Sequence, residues 1–125
     1  MMTGDVTAQR KAVLSLTIRM TDGKEYAYEG VIDTGYTGSL TLPPELISAL
    51  GLRWYRYGSA ILADGNRIQF NVYKTVVIWD GQPSTITIDE MDANSLIGMS
   101  LMYGYELTLR VLYGATFTLQ RIVAP

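Results

Sequence analysis

The sequence is organised as short segments in which every second residue is apolar. The first begins at Val13 and places Leu14, Leu16, Ile18 and Met20 on one face. A period of two is typical of a β-strand that buries one side, because successive side chains of a strand point to opposite faces of the sheet. Later segments repeat this pattern between pairs of residues that favour tight turns. The alternation therefore restricts the chain to a mainly β fold.

Turn signals divide these segments into hairpins. Asp22-Gly23 is expected to turn the first strand into residues 25–32, and Asp64-Gly65 to form the tip of a long hairpin over residues 55–79. Further strands are expected at residues 39–42, 85–88, 107–111 and 116–122. The sequence thus predicts many short strands, and no internal repeat or low-complexity linker interrupts them.

One helix start is also visible. The pair Pro43-Pro44 favours the first turn of a helix, after which Leu46, Ile47 and Leu50 would share one face. Gly51 is a suitable C-terminal stop. We therefore expect one or two short helices among the strands.

The length and composition of the chain favour one domain. The chain has 125 residues, of which 48% are hydrophobic, which allows one core and leaves little room for a second. We expect residues 1–11 to form an N-terminal arm that can be flexible, and residues 12–122 to form the domain. No apolar segment follows the N-terminus or reaches the length of a membrane span, so a cytoplasmic protein without a membrane partner is expected.

Charge and residue absences exclude several functions. Ten basic and twelve acidic residues give a net charge of −2, and the basic residues are scattered along the sequence, so no nucleic-acid partner is expected. The chain has no Cys and no His, which excludes disulfides, Ser-His-Asp and Cys-His nucleophiles, and His-bound zinc. Acid–base chemistry would therefore have to use mainly carboxylates.

Asp33 is the most informative carboxylate. The apolar pair Val31-Ile32 predicts that its strand is buried, where a carboxylate is costly unless it is paired or functional. Thr34 supplies a hydroxyl, and Gly35 lets a backbone or a substrate approach closely. The alternative interpretation of this triplet alone is an Asx-type turn at the end of a strand.

The surroundings of this triplet resemble the retropepsin-like (retroviral-type) aspartic proteases, particularly their single-domain bacterial and cellular members. The resemblance extends from about residue 13 to residue 122, and it includes a flap-like hairpin tip and an apolar-apolar-Gly element. The matching motifs are Val31-Ile32-Asp33-Thr34-Gly35, Thr37-Gly38-Ser39-Leu40, Leu42-Pro43, Ala63-Asp64-Gly65 and Leu96-Ile97-Gly98-Met99. The resemblance implies a single-domain acid-protease fold, a closed β-barrel with one or two short helices, in which the second element packs beneath the catalytic loop.

The resemblance also implies an activity and an assembly. A chain with one such motif would supply Asp33 as the catalytic residue of an aspartic endopeptidase, and a second copy would supply the other carboxylate of a homodimer. Thr34 would brace the opposite loop, Gly35 would present its backbone to a polypeptide substrate, and no cofactor or metal is implied. The tip residues Ala63, Asp64 and Gly65 would contact the substrate, although an ordinary exposed hairpin tip is the competing interpretation.

Some positions depart from the pattern of the retroviral enzymes. Tyr36 stands where these enzymes generally have a small residue, and Thr37 and Met99 stand where they have an Asp and an Arg that form a pair. Residues 116–122 could form an interface strand or a strand within the subunit's own sheet. The aromatic residues Trp54, Tyr55, Tyr57, Tyr103 and Tyr105 are expected to be partly buried core, and the acidic residues Asp89, Glu90 and Asp92 to form a solvated turn without a metal.

Two other functions remain open from the sequence. The first is a catalytically weak or inactive module with the same fold that uses its dimer groove to hold a peptide, because a fold alone does not establish catalysis. The second is a small β-barrel that binds an apolar ligand, although no particular residue supports this function.

Overall fold

The computed structural model describes residues 1–123, which form ten strands and two short helices. The mainly β architecture with short helices agrees with the sequence prediction. The strands are β1 Met2–Val6, β2 Ala12–Arg19, β3 Glu25–Ile32, β4 Leu40–Leu42, β5 Arg53–Ile61, β6 Arg67–Trp79, β7 Gln82–Glu90, β8 Leu96–Ile97, β9 Tyr105–Thr108 and β10 Thr116–Arg121, and the helices are α1 Pro44–Leu50 and α2 Met99–Met102.

All strands belong to one sheet that returns on itself. Their order is β5-β6-β7-β4-β8-β3-β2-β1-β10-β9, and an additional pairing joins β6 to β2. This pairing makes a ring of strands, formed by β2, β3, β8, β4, β7 and β6. Within the ring β3–β8 and β4–β7 are parallel pairs, whereas β2–β3 and β6–β7 are antiparallel.

The two predicted hairpins are confirmed. β2 and β3 pair from Val13↔Val31 to Arg19↔Glu25 around the Asp22-Gly23 turn. β5 and β6 pair from Arg53↔Lys74 to the Asp64-Gly65 end, with a bulge between Trp54 and Arg56. In both turns the glycine has a positive φ, 86° at Gly23 and 87° at Gly65, which glycine adopts without steric cost.

The first and the last strand of the chain pair with each other in the sheet. β1, within the segment predicted to be an arm, pairs with β10 from Met2↔Leu119 to Asp5↔Thr116. Gly4 makes this close approach possible, because a Cβ at this position would overlap the Phe117 ring and the Val13 carbonyl oxygen. β10 also pairs with β9, so of the two interpretations of residues 116–122 the strand within the subunit is the one observed.

Strand β9 ends earlier than the sequence predicted. It stops at Thr108, and Leu109, Val111 and Leu112 are exposed in the following loop. The apolar residues after Thr108 suggested that the strand continues, but they have no strand to pair with. β10 pairs only with Tyr105–Thr108 of this segment.

The core is formed by strands of the ring together with β10. Its fully buried side chains come from most of the strands and are Ile18, Leu40, Leu42, Val72, Val77, Ile88, Ile97, Phe117 and Leu119. Helix α1 adds Ile47 and Leu50 to the core and ends at Gly51, whose φ of 65° turns the chain so that the Leu52 N–H donates to the Ile47 carbonyl oxygen at 3.2 Å. The predicted helix start and stop are both confirmed.

Candidate active site

Asp33 directly follows β3, and β8 holds it in place. The Val31 N–H donates to the Ser95 carbonyl oxygen at 2.8 Å, and the Asp33 N–H donates to the Ile97 carbonyl oxygen at 2.9 Å. Val31, Ile32 and Asp33 are half-buried, so the strand end is less buried than the sequence predicted.

The Asp33 carboxylate takes part in a local turn. Its Oδ1 accepts the N–H of Gly35 at 2.8 Å, and its carbonyl oxygen accepts the N–H of Tyr36 at 3.2 Å. This is the Asx-type turn of the alternative interpretation. Oδ2 accepts no hydrogen bond from residues 1–123, so the turn orients one oxygen and leaves the other for a ligand or a partner.

The segment from Gly98 to Ser100 clamps the loop that carries Asp33. The Gly98 and Met99 N–H groups donate to the carbonyl oxygens of Ser39 and Tyr36, at 3.0 and 2.8 Å. Ser100 adds two bonds, from its N–H to the Gly38 carbonyl oxygen at 3.1 Å and from its Oγ to the Thr37 carbonyl oxygen at 2.5 Å. The predicted packing of the apolar-apolar-Gly element against the loop that carries Asp33 is therefore observed.

Gly98 is essential to this close packing. A Cβ at Gly98 would overlap the Gly38 carbonyl oxygen and the ring of Tyr36. Its φ of −102° is accessible to any residue, so the glycine is needed for space and not for backbone freedom.

Tyr36 anchors the loop from the other side. Its hydroxyl donates to Asp89 Oδ2 on β7 at 2.6 Å. Burial, and secondarily the hydrogen bond and charge of Asp89, raise the pKa of the Tyr36 hydroxyl well above its ordinary value. The hydroxyl therefore stays protonated and remains a donor at any physiological pH, which keeps the loop fixed to the ring of strands.

The acidic residues near Asp89 are not a solvated turn, and this expectation was wrong. Asp89 and Glu90 lie at the end of β7, are half-buried, and accept hydrogen bonds from Tyr36 and from Asn71 Nδ2, the latter at 2.9 Å. Only Asp92 is exposed in a bend. The alternation of apolar and polar residues at Ile86 and Ile88 runs directly into these acidic positions. This pattern was the signal in the sequence that the strand continues through them.

Thr34 lies beside a groove. It lines a space of about 320 Å³ together with residues of α2 and β9, namely Met99, Met102, Tyr103, Gly104, Tyr105 and Leu107. Thr34 and Gly35 are both exposed. The structure thus brings Asp33, Thr34 and Gly35 to one exposed edge of the fold.

The hairpin tip is exposed and self-contained. Asp64 Oδ1 and Oδ2 accept hydrogen bonds from the Asn66 N–H and Nδ2, at 2.9 and 3.0 Å, and the Gly65 N–H donates to the Leu62 carbonyl oxygen. Ala63, Asp64 and Gly65 are all exposed. Between residue 1 and residue 123 no hydrogen bond connects this tip to the Asp33 loop, so the structure does not bring these two groups of predicted site residues together.

Most of the aromatic residues expected in the core are exposed. Trp54, Tyr55 and Tyr57 are 49, 46 and 59% exposed, and Tyr103 is 88% exposed. β5 pairs only with β6, so the projecting hairpin has no second layer to cover these rings. The expectation holds for Tyr105, which is half-buried against Trp79 with the ring centroids 5.8 Å apart.

Two absences concern the part of the chain that the structure describes. No three acidic side chains lie close enough together there to share a metal ion. None of its helices is long and apolar enough to cross a membrane.

The chain was compared with known families, curated proteins and solved structures, and the last of these comparisons bears on the class of the fold. No protein-family model matches the sequence, and no curated protein does. Among solved structures, the chain is similar to the crystal structure of a retropepsin-like aspartic protease from Rickettsia conorii, with a TM-score of 0.63 and 14% sequence identity. The match covers 98% of this chain and 90% of that one. The chain therefore has a retropepsin-like aspartic protease fold.

Proposed function

We propose that this protein is an aspartic endopeptidase that hydrolyses extended polypeptides as a homodimer, with Asp33 of each subunit as the catalytic pair. The observation that carries the proposal is the fixed loop at the end of β3, in which Asp33 Oδ1 is held by the Gly35 N–H and Oδ2 is open. The retropepsin-like fold supports the same activity.

The dimer follows from the chemistry of the site. Activation of water by this class of enzyme requires two facing carboxylates, whereas each chain has one Asp-Thr-Gly motif. A two-fold axis beside Asp33 would supply the second from an identical copy. Two carboxylates a few ångströms apart cannot both ionise comfortably, so the pair would share a proton and titrate as a unit.

The shared proton gives the two residues different roles. The ionised Asp33 takes a proton from a bound water as the water attacks the peptide carbonyl carbon. The protonated Asp33 of the other subunit donates a hydrogen bond to the oxygen on which negative charge develops. Collapse of the tetrahedral intermediate transfers a proton to the leaving nitrogen, and neither a metal nor a covalent intermediate is required.

The surface beside Thr34 suits a subunit contact. Met99 and Tyr103 are 48 and 88% exposed next to the groove that Thr34 lines, and large exposed apolar side chains favour an interface. Both edges of β10 are already paired within the chain. These features favour a contact made by the Thr34 loop and α2 over one made by an unpaired terminal strand.

The β5–β6 hairpin would close over the substrate. In this role Ala63, Asp64 and Gly65 contribute mainly backbone groups, because the Asp64 carboxylate is already engaged by Asn66. An extended peptide could add to these groups as a further strand. Closure would also exclude water from the catalytic pair.

The test compares the parent protein with Asp33→Asn on a mixture of unstructured peptides from acidic to neutral pH, with the dimer content recorded by sedimentation. Asp92→Asn, which removes an exposed carboxylate elsewhere, is the matched control. Cleavage is expected for the parent and the control and not for Asp33→Asn. A folded dimer that cleaves at no pH would favour the alternative of a peptide-binding module, and full activity of Asp33→Asn would exclude the proposed mechanism.

A further inference from the structure

The strand β6 changes partner along its length and creates a fork in the sheet. Its residues from Arg67 to Lys74 pair with β5, whereas Val76 to Ile78 pair with β2. Thr75 lies in the gap between the two partners, where its Oγ1 donates to the Arg19 carbonyl oxygen at 3.0 Å. The projecting hairpin leaves the ring of strands at this fork.

A groove of about 380 Å³ opens at the fork, and its charged side chains are all basic. Arg19 comes from β2, Arg53 from the start of β5, and Lys74 from β6. The remaining lining residues are Met20, Thr21, Thr75, Val76 and Thr85, so no carboxylate lines the groove. We call this space the fork groove.

The three cations are poorly neutralised. Arg19 Nη2 lies 3.6 Å from Glu25 Oε2, but both side chains are about half exposed, and such pairs contribute little. Neither Arg53 nor Lys74 forms an ion pair with any residue from 1 to 123. Lys74 Nζ instead lies 3.9 Å from the centre of the Tyr55 ring, which orients the ammonium group without cancelling its charge.

The register of β5 and β6 makes this arrangement unfavourable in the absence of a ligand. Arg53 and Lys74 are direct cross-strand partners, so their side chains leave the same face of the sheet at the same level. Like charges opposite each other destabilise a strand pair. This juxtaposition occurs in a chain whose net charge is −2, so it does not reflect a generally basic surface.

We propose that the fork groove binds an acidic segment of a polypeptide, whose carboxylates lie between Arg53, Lys74 and Arg19. Charge complementarity identifies the ligand class, and the apolar surface of Met20 and Val76 suits the aliphatic part of such a segment. The groove, at about 380 Å³, offers more space than one inorganic anion fills. Its lining shares no residue with the Asp33 loop or with Gly98–Ser100, so the proposal goes beyond the proposed function and does not depend on it.

The experiment measures fluorescence anisotropy of a labelled eight-residue Glu/Asp-rich peptide in the Asp33→Asn background, so that cleavage cannot interfere. Arg53→Gln combined with Lys74→Gln is expected to weaken binding about tenfold or more, since two charge-assisted contacts are lost. Binding should also weaken when the salt concentration rises from about 0.05 to about 0.3 M.

The matched control removes two positive charges elsewhere, by Lys11→Gln with Arg110→Gln, both exposed outside the groove. The second control is a neutral peptide in which Gln and Asn replace the Glu and Asp of the probe. Together the two controls establish that binding depends on the charges of the groove and of the peptide. Equal loss of binding in the two double variants, or equally tight competition by inorganic phosphate, would overturn the proposal. Absence of binding to the acidic peptide would overturn it as well, whether or not the protein cleaves peptides.

Discussion

At the scale of single residues, the position of Asp33 is set by contacts that lie far apart in the sequence. The Asx-type turn to Gly35 is local, but the loop is fixed by Tyr36 to Asp89, 53 residues away, and by Ser100 to Thr37, 63 residues away. A carboxylate intended for catalysis has to be held within a fraction of an ångström by such supporting contacts. Tyr36 is therefore a positioning residue for Asp33.

Removal of the Tyr36 hydroxyl should destabilise the fold. Tyr36→Phe keeps the ring against Gly38 and Gly98 but leaves Asp89 without its donor, at a cost of about 1–2 kcal/mol. Urea denaturation measures this change, and Tyr113→Phe, at a 72% exposed tyrosine, is the control. Equal stability of the two variants would contradict the anchoring role of Tyr36.

The same hydroxyl predicts a dependence of stability on alkaline pH. The pKa of Tyr36 is raised in the folded state by burial and by Asp89, whereas the unfolded value is about 10. The folded protein therefore keeps a proton that the unfolded chain loses, so this stabilisation is complete below about pH 10 and is lost progressively above it. Urea midpoints should fall more steeply above that pH for the parent than for Tyr36→Phe, and identical slopes would contradict the assignment.

The sequence indicated the candidate motif but not the contacts that hold it in place. Asp33, Thr34 and Gly35 form a contiguous motif that is visible without a structure. The Tyr36–Asp89 bond was not visible, because a pattern of residues reports local geometry and says little about which side chains meet across the ring. The cluster of acidic residues around Asp89 suggested a solvated turn. The alternating pattern of β7 before it, which indicated a continuing strand, was the better guide.

At the scale of elements, the hairpins were predictable and the non-local pairings were not. Asp-Gly turns define β2–β3 and β5–β6 locally. The strand β1 was missed because Met2–Val6 contains few apolar residues and owes its conformation to β10, more than 110 positions away in the chain. The aromatic residues of β5 were wrongly expected in the core, and the reason is again non-local. The composition of a strand does not reveal that it has only one neighbouring strand, as β5 does.

The junction of β4 and β8 provides a test at this scale. The Leu96 N–H donates to Oγ1 of the fully buried Thr41 at 2.8 Å and so joins the two strands that flank the site. Thr41→Val keeps the shape of the side chain but leaves the N–H without an acceptor, which should lower the free energy of unfolding by about 1–3 kcal/mol. Thr41→Ser retains the hydroxyl and should lose less, so the opposite order would contradict this account.

At the scale of the whole molecule, the proposed function requires a second copy of the chain beside the Asp33 loop. The ring of strands carries the Asp33 loop to an exposed edge, and Met99 and Tyr103 surround it with apolar surface. The division of the site between two subunits is a prediction from the family resemblance. The sequence could not indicate the proposed contact surface, because the exposure of α2 depends on how the strands close around the core.

A charge at this surface should disrupt the dimer without unfolding the subunit. Tyr103→Asp places a carboxylate in the proposed contact, where its desolvation would be costly, and the exposed side chain makes no hydrogen bond within residues 1–123 that would be lost. Sedimentation should show dissociation, and cleavage should fall in parallel. Tyr26→Asp, at a 42% exposed tyrosine on the β2–β3 hairpin, should change neither property.

The most direct test of the shared site is to mix parent and Asp33→Asn subunits at known ratios, allow them to exchange, and measure peptide cleavage. If both carboxylates are required, only parent homodimers cleave, and activity per total protein falls with the square of the parent fraction, to about one quarter at equal amounts. A linear fall to about one half would mean that each chain acts alone, and it would contradict a catalytic pair formed by Asp33 of two subunits.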